Sequence, residues 1–408
     1  MVEIKREGII LESTDLDFEN QAVLNPACIQ DGNNVHMFYR AVRNGNHSSI
    51  GYCKLEGPLK VIERNKNPVL SPEYDYENHG IEDPRIVHMN GIYYLFYTVF
   101  DGKNALSAYA ISNDLQTWIK KGPITPTIMY SEAKQIFRDG KTKLKERYFF
   151  FESYIKDMVA DDVLLWEKDV FMFPEKINNK YALVHRVLPD IQIAYFDDFS
   201  ELNIDYWKEY LKRIGNRIIL EPEHSYESRN IGGGAVPIKT KDGWLLIYHA
   251  VEDSNRGKVY HASAALLDLH DPQKVLGRLE KPLFSPKEDY EKYGDVNNVV
   301  FPTGTAIFNE RLYIYYGAAD KRIAAVSLNL HELLNELSGR ASEDNPYCAI
   351  TPTASLILAA SKEGISLEKL AKAISKDEKI TLMAIGWLLK EGKVYCNRTD
   401  NELIIKSR

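Results

Sequence analysis

The sequence predicts a mainly β protein, a five-bladed β-propeller followed by a small α+β winged-helix-like domain. Strand patterns rich in Tyr and Phe recur five times, at intervals of 58, 88, 63 and 68 residues. A second signature, Pro-x-x-x-Tyr-Glu, recurs three times at one spacing, and the pattern turns helical towards the C-terminus. By length alone, 408 residues suggest two to three domains of roughly 150 residues each. The repeat replaces that partition with a propeller at 1–337, a linker at 338–352 and a terminal domain at 353–408.

The five strand patterns are Val35–Val42, Ile92–Val99, Tyr181–Val187, Trp244–Val251 and Leu312–Ala318, aligned on Tyr39, Tyr97, His185, Tyr248 and Tyr316. Turn pairs precede four of them: Asn33-Asn34, Asn90-Gly91, Asn178-Asn179 and Asp242-Gly243. A second short apolar segment follows each, at Ser48–Cys53, Ala105–Ala110, Ile191–Tyr195, Val259–Ala264 and Ile323–Val326. The signature lies between units, with Pro72, Tyr76 and Glu77, then Pro222, Tyr226 and Glu227, then Pro286, Tyr290 and Glu291. Five sheets of about four strands, arranged radially so that their edges protect one another, account for this pattern. An irregular β-sandwich with long loops is the alternative.

Gly339, Pro346 and Pro352 mark the linker. Beyond it, 354–360, 367–374 and 380–389 carry helical periodicity, with Ser366 as an N-cap, and Val394–Asn397 and Leu403–Lys406 read as a hairpin. Three helices and a hairpin form the winged helix-turn-helix pattern.

The chain carries 44% hydrophobic and 27% charged residues, with a mean hydropathy of −0.34, which excludes general disorder and supplies a large core. Its net charge of −7 argues against coating nucleic acid with the whole surface. Residues 353–408 hold ten Lys/Arg against seven Asp/Glu, so the tail is the one candidate reader of DNA in a sugar-responsive regulator. Its candidate recognition helix, Ile380–Leu389, is uncharged, which favours protein contact over nucleic acid and leaves a homo-oligomer open. Cys28, Cys53, Cys348 and Cys396 show no CxxC spacing and are expected to be free thiols. Without an apolar leader or membrane-length run, the expectation is a soluble cytoplasmic protein without membrane contact.

Gly80-Ile-Glu-Asp-Pro-Arg85 is the strongest local signal for chemistry, with Glu82 and Asp83 beside a rigid Pro84 and the cation of Arg85. Such stretches also occur as surface turns. Arg40, His185-Arg186 and Tyr248-His249 end equivalent strands, which a propeller would bring to one central face. Lys168-Asp169 and Lys176 precede the His185 strand, so several cations could gather there, as suits phosphate or another anion. The same histidines would equally serve as hydrogen-bonded core residues. Ile231-Gly-Gly-Gly-Ala235 is read as a loop of close backbone approach. No metal, nucleophile-elbow or nucleotide motif is present, so no metal and no cofactor are expected.

Gly80–Arg85, Phe173–Tyr181 with His185-Arg186, Gly294–Pro302 and Tyr316–Asp320 together resemble glycoside hydrolase family 130, the mannoside phosphorylases and related β-mannosidases. The resemblance spans roughly residues 20–330 and implies a five-bladed propeller. It implies an inverting phosphorolysis in which inorganic phosphate, the co-substrate, attacks a β-mannoside and one protein carboxyl group suffices. Ordinary inverting hydrolysis needs a second carboxylate to activate water. On the resemblance Asp83 is the acid, acting through a sugar hydroxyl, and Asn25, Arg40, Asp101 and Asp320 hold the mannosyl unit. Glu82, Arg85 and His249 complete the expected substrate contacts. The phosphate residues are Lys168, Arg186, Asn230 and Tyr260. Lys168 and Asn230 depart from the family's Arg and Lys, the second losing a cation that the neighbouring Arg229 could replace. That leaves a hydrolase as the alternative, with Glu227 as a candidate base, although Glu227 also belongs to the repeated signature.

Overall fold

The computed structural model describes residues 2–150, 163–255, 257–339, 346–374, 378–399 and 402–407. The chain divides into two compact units, Met1–Ser338 and Gly339–Arg408. The first is mainly β. Each Tyr-rich pattern becomes an inner strand, because alternating large rings and small residues fit a sheet buried on both faces.

Among the described residues these strands build five antiparallel meanders. The first runs through Ala22–Asp31, Asn34–Arg43, His47–Glu56 and Lys60–Arg64, and the second through Gly80–Met89, Ile92–Phe100, Ala105–Ser112 and Ile119–Pro123. The third comprises Lys168–Met172, Tyr181–Arg186, Ile191–Phe196 and Ile218–Leu220. The fourth comprises Asn230–Gly233, Trp244–Ser254, Gly257–Leu267 and Val275–Arg278. The last has Val300–Phe308, Arg311–Ala318 and Arg322–Asn329, and takes its fourth strand from the other end of the chain, Lys5–Leu11, with Lys5 opposite Ser327.

Neighbouring meanders are joined by backbone contacts. Ser48 pairs with Gly80, the Glu167 amide donates to the Ala105 carbonyl at 3.0 Å, that of Ile231 to Pro189 at 3.0 Å, and that of Tyr260 to Asn298 at 3.0 Å. The series returns to its start, since the Val23 amide donates to the Lys321 carbonyl at 3.3 Å.

The five aligned ring positions share one environment. Each lies in the core beside a fully buried glutamate: Glu19, Glu77, Glu167, Glu227 or Glu291. Tyr39 Oη donates to Glu19 at 2.8 Å, Tyr248 Oη to Glu227 at 2.8 Å and Tyr316 Oη to Glu291 at 2.6 Å. Glu167 lies 3.0 Å from His185 Nδ1. A cation closes four of the sets: Arg64 on Glu19, Lys120 on Glu77, Arg278 on Glu227 and Arg6 on Glu291. In the Pro-x-x-x-Tyr-Glu signature the glutamate also turns back to accept two backbone amides, those of Glu223 and His224 for Glu227. The signature is therefore a device for burying a carboxylate against backbone amides and a cation, although Glu77 Oε1, beside Tyr97, has no hydrogen-bond partner among the described residues.

Two expectations change. Ile231-Gly-Gly-Gly-Ala235, read as a loop, includes the strand Asn230–Gly233; a run of glycines has no side-chain alternation to betray a strand. The expected linker 338–352 is helical from Pro346, the start of helix Pro346–Ala360, where a proline at the first position costs nothing. Residues 340–345 of that linker lie outside the described residues, as do Asp400 and Asn401 of the expected hairpin turn. Of the two readings open for His185, the structure shows the core one, with Nε2 2.6 Å from Tyr210 Oη.

The second unit contains helices Pro346–Ala360, Leu367–Ile374 and Glu378–Lys390 and strands Val394–Thr399 and Glu402–Ser407, with Ile365–Ser366 adding a short third strand. Its core gathers Ile357, Leu370, Ile385, Leu388, Val394 and Ile405. Cys28, Cys53 and Cys396 are free thiols, while the side chain of Cys348 lies outside the described residues. Among the described residues no helix is long and apolar enough to cross a membrane.

Candidate active site

The first strands of three meanders, Ala22–Asp31, Gly80–Met89 and Lys168–Met172, break register with their Tyr-rich neighbours at corresponding places. The slips fall between Leu24 and Ala27, Glu82 and Arg85, and Lys168 and Phe171. Each contains one residue forced to positive φ: Asn25 at 48°, Asp83 at 50° and Asp169 at 60°. Asp320, at 49°, occupies the turn before Arg322–Asn329. Non-glycine residues adopt this conformation at a cost of about 1 kcal/mol or more, and a bulge spends it on redirecting a side chain. All four line one cavity of about 310 Å³.

Strand alternation supplies the next set. The aligned rings Tyr39, His185 and Tyr248 point into the core, so the residues after them, Arg40, Arg186 and His249, face the cavity. Lys168, Asn230 and Tyr260 line it as well, with Trp166, Leu188, Arg229, Val251, Lys258, Val299 and Phe301.

Asp83 Oδ1 accepts from Asn25 Nδ2 at 2.7 Å and lies 3.7 Å from Arg40 Nη1. Burial alone would raise its proton affinity; Arg40, Lys168, the Asn25 amide and Arg85 outweigh burial and hold the carboxyl below its ordinary range. Asp320 goes the other way. Burial, with Asp83, Asp295 and Glu82 adding and Arg40 opposing, pushes it up to about 6. Two carboxyls on one cavity are thus driven apart in proton affinity. His249 is pushed down to about 3, by burial first, with Arg186 and Arg85 assisting and Asp169 opposing, so its ring is neutral. It packs 4.3 Å from Phe301.

Asp169 is already engaged, by Arg186 Nη1 at 2.7 Å and Arg85 Nη2 at 3.6 Å. Glycines let the walls close this tightly. A Cβ on Gly232 would lie 2.4 Å from the His249 ring and 2.6 Å from Asp169, and one on Gly234 would lie 2.6 Å from two backbone carbonyls.

The structure therefore gathers Asn25, Arg40, Asp83, Lys168, Arg186, Asn230, His249, Tyr260 and Asp320 around one cavity. Glu82, Arg85 and Asp101 are not on its wall. Glu82 lies behind it, bridging Arg40 at 2.8 Å and Lys168 at 3.3 Å. Arg85 is buried, donating to the carbonyls of Asp83 at 3.0 Å and Pro84 at 3.1 Å and to that of Gly234, and so ties the Asp83 bulge to the glycine strand. Asp101 accepts the amides of Lys103 and Asn104 and organises a loop. Lys176 stacks over Tyr181 instead of joining the cavity cations. Glu227, the candidate base, is held in the core by Tyr248 and Arg278. Sequence reasoning missed Trp166 and Lys258. One unused signal was Asn25-Pro26 and Asp83-Pro84, which stand 58 residues apart like Tyr39 and Tyr97 and mark equivalent bulges.

Residues 10–338 match the family model of glycoside hydrolase family 130, described as beta-1,4-mannooligosaccharide phosphorylase. The chain belongs to glycoside hydrolase family 130. Among its curated relatives is a 1,2-beta-oligomannan phosphorylase of Thermoanaerobacter sp. strain X514, 35% identical over 347 residues, which cover 82% of this chain and 99% of the relative. A beta-1,2-mannobiose phosphorylase of the same organism is 36% identical over 340 residues, 79% of this chain and 95% of the relative. Among solved structures, the beta-1,2-mannobiose phosphorylase of Listeria innocua superposes with a TM-score of 0.61 at 24% identity, covering 83% of this chain and 99% of that one, a likeness of fold. The family 130 match ends where a second begins to be needed: residues 357–407 match a winged helix-turn-helix domain.

Proposed function

We propose that the chain is an inverting phosphorylase that cleaves β-linked mannosides with inorganic phosphate, releasing α-mannose 1-phosphate and a shortened saccharide. The observation that carries this reading is the meeting of two residue sets on one cavity wall: Asn25, Arg40, Asp83 and Asp320, and the cations Lys168 and Arg186 with Asn230 and Tyr260, which suit an anion. The other carboxylates that could activate water are engaged: Asp169 by two arginines, and Glu227 in the core. This favours phosphate over water as the nucleophile. The relatives named for β-1,2-linked mannan, matched over nearly their whole length, support a mannoside substrate.

In this reading phosphate oxygen attacks the anomeric carbon as the bond to the leaving oxygen breaks. The proton for that oxygen comes from Asp83 through a sugar hydroxyl, as the family resemblance implies. Since the surrounding cations hold Asp83 ionised in the free protein, the carboxyl takes up that proton from the incoming hydrogen phosphate, which loses it on forming the ester. Asn25 and Arg40 fix the Asp83 carboxyl, and Glu82 and Arg85 act from behind as positioning residues. No metal-binding cluster occurs among the described residues, and the scheme uses none. The scaffold we infer is a five-bladed propeller over 1–337, supported by the five meanders and the return contact from Val23 to Lys321. The terminal domain at 353–408 we assign to protein contact, since its helix Glu378–Lys390 exposes Leu382, Met383, Trp387 and Leu389 where a nucleic-acid reader would present cations.

The test is to incubate the protein with β-1,2- and β-1,4-mannobiose with and without phosphate, following α-mannose 1-phosphate by phosphorus NMR. Phosphate-dependent product is expected; release of mannose at the same rate without phosphate would establish a hydrolase instead. Asp83→Asn should lower kcat by about 10²–10⁴-fold with folding intact.

A further inference from the structure

Five cations line the cavity: Arg40, Lys168, Arg186, Arg229 and Lys258. Four of them are committed to carboxylates. Arg40 and Lys168 share Glu82, Arg186 holds Asp169, and Arg229 holds Asp253 at 3.1 Å. Lys258 forms no ion pair among the described residues, although Asp253 stands directly opposite it in the ladder, because Arg229 occupies that carboxylate from the other side.

Lys258 is also placed where an incoming anion would pass. It lies two residues before Tyr260 on strand Gly257–Leu267, so strand alternation puts both side chains on the cavity face, Lys258 further out and more exposed. Val251, opposite Tyr260, pairs on its other side with Asn230, so a single sheet face leads from Lys258 inwards to the anion-binding residues.

We propose that Lys258 is the entry residue for the oxyanion, inorganic phosphate in one direction and the phosphate of the sugar 1-phosphate in the other. It supplies the unpaired positive charge that Asn230 does not. The proposal rests on the phosphorylase reading and adds to it a residue that acts on phosphate capture and leaves the mannosyl side alone. A solvent-exposed lysine at the rim of a site acts mainly through long-range attraction, so its contribution is modest and screened by salt.

The test compares Lys258→Gln and Lys258→Arg with the wild-type chain. At low ionic strength Lys258→Gln is expected to raise KM for phosphate about threefold to tenfold, with kcat and KM for the oligosaccharide within about twofold. At about 0.5 M NaCl the difference from wild type should shrink, and Lys258→Arg should restore phosphate KM. An unchanged phosphate KM in Lys258→Gln, or a rise in both KM values together, overturns the assignment. Calorimetric titration with inorganic phosphate alone separates the two levels of inference. If wild-type turnover ignores phosphate, the phosphorylase reading fails, while weaker phosphate binding by Lys258→Gln still supports Lys258 as an anion-capturing residue and equal binding removes it.

Discussion

Asp320 shows how far one residue's environment can be set against stability. Its folded proton affinity, about 6, lies above the value of roughly 3.9 expected in an unfolded chain. The folded state therefore binds a proton in a window where the unfolded state has lost it. The group's contribution to stability is complete below about pH 4 and disappears as pH rises through 6, because ionising the buried carboxyl works against folding. Asp320→Asn, which mimics the protonated form, should accordingly be more stable than wild type above pH 6, by up to ~3 kcal/mol, and should match it near pH 4. Denaturant unfolding at both pH values measures this; parallel curves would contradict it. Activity should move in the opposite sense. If the ionised carboxylate accepts mannosyl hydroxyls, wild-type KM for the mannoside rises as pH falls below 6, and the asparagine variant loses affinity at every pH without that acid limb.

The inner strand is the element in which most of the site was legible, and one residue there is instructive. Aligning His185 with Tyr39, Tyr97, Tyr248 and Tyr316 already placed it in a series of core rings, and alternation then gives the cavity to Arg40, Arg186 and His249. Of the two readings open for His185, pocket and core, the period of two within its own strand already selects the core. The bulges were harder to see, because Asn25-Pro26 and Asp83-Pro84 look like turn chemistry until their shared spacing is noticed. Trp166 reaches the cavity through tertiary placement of a segment outside any strand, which no local pattern encodes, whereas Lys258 was signalled by its spacing of two from Tyr260 and was overlooked. Glu227 illustrates the converse, since the repetition of Tyr-Glu spoke for structure and the fully buried carboxylate agrees. Glu227→Gln leaves the buried guanidinium of Arg278 without its counter-charge, so a loss of about 3 kcal/mol is expected. The ratio of phosphorolysis to hydrolysis should not change; a selective loss of hydrolysis in that variant would restore Glu227 as a base.

At the scale of the whole molecule, the last meander depends on the first residues of the chain. Lys5–Leu11 completes the sheet ending at Arg322–Asn329, and Arg6 reaches across 285 positions to Glu291 at 3.0 Å and to the Ser285 carbonyl at 2.7 Å. The same sheet carries Asp320 to the cavity and packs against the first meander, where a Cβ on Gly317 would lie 2.0 Å from Asn25 Oδ1. Pairing of the terminal strand is thus coupled to the geometry of the candidate site: releasing the first strand frees the edge of Arg322–Asn329 and loosens both Asp320 and the residue that holds Asp83. Arg6→Ala should cost about 2 kcal/mol, less than a fully buried pair because Arg6 keeps some solvent contact. Arg64→Ala removes the corresponding cation from Glu19 but leaves the first strand's pairing partners intact. Hydrogen exchange distinguishes the two. Arg6→Ala should speed exchange at the amides of Arg322–Asn329 and lower activity together, whereas Arg64→Ala should leave those amides protected. Equal exchange at Arg322–Asn329 in both variants would mean that the terminal strand completes a sheet without bracing the site.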